Sequence, residues 1–193
     1  MAERSEDAVE EIIDALGPLP PPRARPVLVV VSGLPGTGKS WLCGELHRRS
    51  GAVVLESDAL RRRLFPRPTY SRQESRRLFD LIHAAVERLL RQGVSCILDA
   101  TNLAERHRRP LYEIAEACGA ELLLVEVTAP AAVALARLQQ RAATPGSLSE
   151  ADAAVYQRMR RQREEIGREH FVVDTSKPTE EALAAISRRL EGR

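Results

Sequence analysis

VVVSGLPGTGKSWL, residues 29–42, holds three glycines, a proline, a lysine and a serine directly behind an apolar run. The run begins at Val27 and is continuously apolar up to Ser32, the mark of a strand buried on both faces. KSWLCGELHRR (39–49) reads as a helix. The chain therefore passes from a strand through a flexible loop straight into a helix, and the loop between them sets the rest of the interpretation.

Gly33 to Ser40 matches G-x-x-x-x-G-K-[ST] without a break, in the strand–loop–helix setting that the motif requires. Glycines open backbone conformations closed to other residues and keep side chains away from a close phosphate. Loop N–H groups then converge on phosphate oxygens, helped by the free donors and positive dipole end of the next helix. Gly33, Leu34, Pro35, Gly36, Thr37, Gly38, Lys39 and Ser40 are thus the expected nucleotide cradle, for ATP or GTP. Lys39 supplies a point charge to the β- and γ-phosphates, and Ser40 is the expected Mg²⁺ ligand.

Outward from this unit, strands and helices alternate. Strands are expected at 52–57, 94–100, 121–127 and 170–175, and helices at 59–65, through Leu78 to Leu89, at 104–118, from Pro130 to Arg141, at 150–167 and at 179–191. TPGSLSEAD (144–152) reads as a loop. Five apolar strands separated by helices predict an α/β sandwich around a mostly parallel sheet. Val9, Ile12, Ile13 and Leu16 recur at helical spacing, and GPLPPPRARP then blocks helix continuation. Residues 1–25 are therefore expected to form a helix on a stiff connector, and 26–193 the domain proper.

At 193 residues the chain suits one domain with a real core. A formal net charge of only +2 excludes a general polyanion binder. The basic side chains are almost all arginine, with Lys39 and Lys177 the only lysines. Cys43, Cys96 and Cys118 are too scattered for a disulfide framework or a structural metal site and read as core residues in a reducing compartment. The start is acidic, without the layout of a secretory signal, and no apolar run approaches membrane-spanning length. A cytoplasmic location without membrane contact is expected.

Groups past the strand ends of a parallel sheet face the ligand crevice. Asp58, just after the second strand, fits a base for an acceptor hydroxyl, or an N-cap for 59–65, or both. Arg61 lies one turn on. Residues 58–80 hold seven arginines against three acids, which fits a negatively charged acceptor or a solvated basic face. Asp99 and Asn102 stand at the third strand's end and are expected to bind the acceptor; a carboxylate there can also orient the magnesium shell through water, or position Lys39. A helix cap from Thr101 or Asn102 is the plainer reading there. Arg137 and Arg141 share a helix face and suit a clamp over the nucleotide, one stacking on the base and one pairing with phosphate. VVDTSKP (172–178) either borders the base or simply turns.

With these residues assembled, the chain resembles the P-loop kinases grouped around polynucleotide 5′-hydroxyl kinase, zeta toxin and chloramphenicol phosphotransferase, a group of AAA-type ATP-binding proteins. The resemblance runs from about Pro26 to Leu190 through GLPGTGKS, SDALR, LDATN, ARLQQR and VVDTSKP in that order. It implies a sheet of order 2-3-1-4-5 with a helical lid, Asp58 as general base, Arg137 and Arg141 on phosphates, and Arg61 on the acceptor. The expected activity is γ-phosphoryl transfer from ATP to a hydroxyl, with the 5′-hydroxyl of RNA or DNA as first acceptor. Nucleoside, sugar or antibiotic hydroxyls, a gluconate-type metabolic kinase and a non-transferring regulatory module are the alternatives. CILDA ends in one acid, not the pair that would place a hydrolytic water, and this favours transfer.

Overall fold

A computed structural model describes residues 2–142 and 153–192. Five strands form one parallel sheet: β1 (Val27–Ser32), β2 (Val53–Glu56), β3 (Cys96–Asp99), β4 (Glu121–Thr128) and β5 (Phe171–Asp174). Their order is β2-β3-β1-β4-β5, as the resemblance implies, and every neighbouring pair is parallel. This is the P-loop NTPase α/β fold.

The central strand explains its own composition. Val27, Val29 and Val31 point into one core with Leu42, Cys43 and Leu46 of α2 (Lys39–Ser50) and Leu183, Ile186 and Leu190 of α8 (Glu180–Leu190). Leu28 and Val30 point into a second core on the other face. That core is filled from α1 (Ala2–Asp14), α3 (Ser57–Leu64), α4 (Arg72–Arg91) and α5 (Glu105–Ala117). A strand with helices on both sides has no polar face to alternate.

The N-terminal helix, expected outside the domain proper, packs onto its core. Val9, Ile12 and Ile13 are buried in the second core against α4, with Ile12 fully covered. Beyond α1, the proline-rich connector is tied to the domain at Arg23, whose N–H donates to the Gly93 carbonyl at 2.8 Å and whose Nη1 donates to that of Leu190 at 2.6 Å.

Two helices close the chain's path over the strand ends, α6 (Ala131–Ala142) and α7 (Ala153–Arg161). The expected loop at 144–152 lies outside the described residues. Where one helix was expected to run to 167, α7 stops at Arg161. The segment after it turns back over α5: Glu164 N–H donates to the Leu103 carbonyl, and the fully buried Arg108 donates to the Glu165 carbonyl at 3.0 Å. Those tertiary bonds outcompete continued helix. Among the described residues, no helix is long and apolar enough to cross a membrane.

Candidate active site

The loop between β1 and α2 is pinned from both sides. From the turn after β3, the Thr101 carbonyl accepts Gly33 N–H at 3.1 Å, and the Asn102 carbonyl accepts from Ser32 Oγ at 3.1 Å. From the turn after β5, Thr175 Oγ1 donates to the Thr37 carbonyl at 2.7 Å. Glycine is obligatory at Gly36, which has φ +78° and whose added Cβ would meet the Ala134 carbonyl at 2.4 Å. Gly33 is equally close to the Val127 carbonyl. The loop is a wedge between α6 and the strand ends, with no room for side chains at these points.

Lys39 begins α2, and its Nζ donates to the Leu34 carbonyl at 3.0 Å, folding the side chain back over the loop. Burial lowers its pKa from the ordinary 10.5; the Asp99 and Asp58 carboxylates oppose that shift, and Arg141 adds to it. These charges therefore converge in one crevice past the ends of β1, β2 and β3. Ser40 is exposed on the first turn of α2, followed by the exposed Trp41.

Asp58 sits in the first turn of α3, and the cap position itself is Glu56, so the capping alternative is not realised. Burial raises the Asp58 pKa from 3.8, against the pull of Lys39, Arg62 and Arg61. Glu56 was not singled out from the sequence. It is half-buried at the end of β2, pairs in register with Asp99, and has its pKa raised by burial, then by Asp99 and Asp58. Its place directly before Ser57-Asp58, at a strand end, was the available signal.

Two expected acceptor ligands are used elsewhere. Arg61 Nη1 donates to Glu74 Oε1 at 2.5 Å, with both side chains buried, and Nη2 reaches Ser75 Oγ at 3.3 Å. The guanidinium is held by this carboxylate on α4 and lies over the Tyr70 ring, 4.7 Å from its centroid. Asn102, 2% exposed with φ +42°, donates its amide to the Val31 carbonyl at 2.8 Å and so ties the β3 turn to β1. Arg108 Nη1 holds the Asn102 carbonyl at 2.9 Å. Asp99 does lie in the crevice, buried beside β1.

The two α6 arginines divide. Arg137 donates through Nη1 to Thr175 Oγ1 at 2.7 Å and through Nη2 to the Thr175 carbonyl at 3.0 Å. It joins α6 to the turn after β5, and Thr175 was missed from the sequence because its partners are distant along the chain. Arg141, one turn further along α6, contributes a positive charge that works to lower the Lys39 and Glu56 pKa values. The arginine-rich 58–80 region is partly consumed internally: beside Arg61, Arg63 pairs with Glu11 at 3.3 Å and Arg77 lies over the Phe65 ring.

The oxygen donors Ser40 and Asp99 suit Mg²⁺, a hard cation usually held by few protein groups and the substrate's phosphates. Among the described residues, no group of three or more His, Cys, Asp or Glu forms a metal cage.

A glycine-wrapped loop with its lysine folded inward, at the strand ends of a parallel 2-3-1-4-5 sheet, defines a P-loop nucleotide-binding protein. Residues 28–166 match the family model described as an AAA domain, AAA_33, and the chain belongs to that family. An adenylyl-sulfate kinase of Paraburkholderia xenovorans is 31% identical over 119 residues, covering 59% of this chain; the match spans 65% of that relative's length. Among solved structures, APS kinase CysC of Mycobacterium tuberculosis with AMPPNP and APS superposes with a TM-score of 0.63 at 22% identity, covering 89% of this chain and 99% of that one. A gluconokinase of Sinorhizobium meliloti gives 0.60 at 23% identity, covering 88% and 97%. At these identities the likeness to the solved structures is one of fold.

Proposed function

We propose that the protein is an ATP-dependent phosphotransferase that moves the γ-phosphoryl group to the hydroxyl of a small molecule. The observation that carries this reading is that Lys39, Asp58 and Asp99 stand at the C-terminal ends of the three neighbouring strands β1, β2 and β3, with Lys39 folded back over the loop. Lys39 and the loop N–H groups would hold the β- and γ-phosphates, Arg141 would add charge from α6, and Arg137 would brace the turn after β5 beside the nucleotide. Asp58 would accept the acceptor's proton. Ser40 and Asp99 would hold Mg²⁺, directly or through water, and the ion would neutralise charge on the phosphate oxygens.

A small acceptor is favoured over a polynucleotide end because Arg61, Arg63 and Arg77 of the basic segment are already engaged within the protein. The named relatives, an adenylyl-sulfate kinase and a gluconokinase, support the same choice. The test is transfer of labelled phosphate from ATP to a panel of nucleosides, sugars, sugar acids and antibiotics beside 5′-hydroxyl RNA and DNA. Labelling of a small hydroxyl compound is expected. Acceptor-independent hydrolysis, with a partner bound only in the ATP state, would favour a regulatory module.

A further inference from the structure

Beside the phosphate loop, a cavity of about 200 Å³ opens between the ends of β1 and β4 and the helix α7. Leu34 lines it, and the Leu34 carbonyl is the group that holds Lys39 Nζ. Its other walls include Glu126, Tyr156, Arg160 and Arg163. Tyr156 is buried against Ala134 and Leu138 of α6 and gives a fixed apolar wall.

The charges there are unequal. Glu126 is only 8% exposed, and its Oε1 accepts from Arg163 at 2.7 and 3.1 Å. Its Oε2 has His170 Nε2 only at 4.0 Å. Arg160 lies in the last turn of α7, exposed and without an ion-pair partner among the described residues. One carboxylate against two guanidinium groups leaves a site that favours an anion, while Glu126 Oε2 retains lone pairs for hydroxyl donors.

Position and size narrow the occupant further. Glu126 pairs in register with Ser32 on one side of β1, and Asp99 with Val31 on the other. Those two register positions are adjacent, so Glu126 and Asp99 leave opposite faces of the sheet, with two strand spacings, about 10 Å, between their strands. The cavity itself is smaller than the roughly 300–1,000 Å³ of sites that enclose drug-sized ligands.

We propose that this cavity anchors the anionic end of the phosphoryl acceptor, and that the acceptor is a small polyol bearing a carboxylate or phosphate, with Arg160 as a specificity-determining residue. The inference rests on the phosphotransferase reading above and deepens it. Arg160 would pair with the anion, Glu126 would take a hydroxyl, and the reacting hydroxyl would lie toward Lys39 and Asp58.

The experiment measures labelled-phosphate transfer from ATP to gluconate, glycerate and glycerol phosphate, beside sorbitol, glycerol and a 5′-hydroxyl oligonucleotide. Turnover is expected with an anionic polyol and not with its neutral counterpart; the carboxylate and phosphate arms separate the two sources of charge. Arg160→Gln, at an exposed position, should raise the acceptor KM at least tenfold with kcat and nucleotide affinity unchanged, the pattern of lost uniform binding. A preferred neutral polyol or oligonucleotide acceptor, or an unchanged KM in R160Q, overturns the cavity's role while leaving a phosphotransferase in place. Transfer to no hydroxyl compound, with ATP still bound, overturns both readings.

Discussion

Arg137 and Thr175 meet across the mouth of the nucleotide loop, with Nη1 donating to Oγ1 at 2.7 Å, while the same Oγ1 donates to the Thr37 carbonyl. One hydroxyl thus fastens α6, the turn after β5 and the loop. Thr175→Val keeps the shape and removes both bonds. Hydrogen bonds to charged groups contribute about 1.5–3 kcal/mol, so nucleotide affinity should weaken roughly tenfold or more. Trp41, the chain's single tryptophan, is 48% exposed beside Ser40 and allows a fluorescence titration. Wild-type affinity in the variant would show that the hydroxyl does not organise the loop.

Asp58 should be dispensable for binding and needed for transfer. Asp58→Asn should keep nucleotide affinity and lower kcat roughly 10²–10⁴-fold. Burial raises its pKa above 3.8, so the acidic limb of the kcat/KM profile should lie above that value. The same shift makes ionised Asp58 a cost to folding, since stability falls as pH rises through the folded pKa. The Asn variant should therefore melt higher than wild type at neutral pH, and a lower melting point would contradict this.

Glu74 ties the Arg61 helix to the loop before α4. Thr69 N–H foremost, with Thr69 Oγ1, Arg61 and Tyr70 N–H, holds its carboxyl down to about 2 from 4.5. A folded pKa below the unfolded one contributes fully above 4.5 and is lost as pH falls toward 2. Thermal midpoints should drop across that window, and Glu74→Gln should flatten the drop. An identical slope in both proteins would remove Glu74 as its source.

The helix α1 is core. Ile12→Ala should cost about 2–5 kcal/mol, lowering Tm by roughly 10 °C in a chain of this size. Calorimetry of the variant decides it, and a Tm within about 1 °C of wild type would mean that α1 adds little to the fold.

Legibility in the sequence followed the range of the forces involved. The glycine loop, Lys39, Ser40 and the strand–helix alternation were readable because each rests on local backbone chemistry and hydrophobic period. Asp58 and Asp99 were reachable because a parallel sheet puts its strand ends in one crevice. Arg61 and Asn102 were expected on the acceptor, and both have internal partners instead. Nothing near them in sequence announces that Glu74 and the Val31 carbonyl stand waiting.

Sequence alone thus determined that a glycine-rich loop carrying a lysine and a serine sits at the head of α2, because these residues set the local backbone through their own conformational chemistry. Only the tertiary structure decided which arginines remain for a substrate. A guanidinium's role depends on the nearest carboxylate in space, and for Arg61, Arg137 and Arg163 that partner or acceptor lies 13, 38 and 37 residues away along the chain.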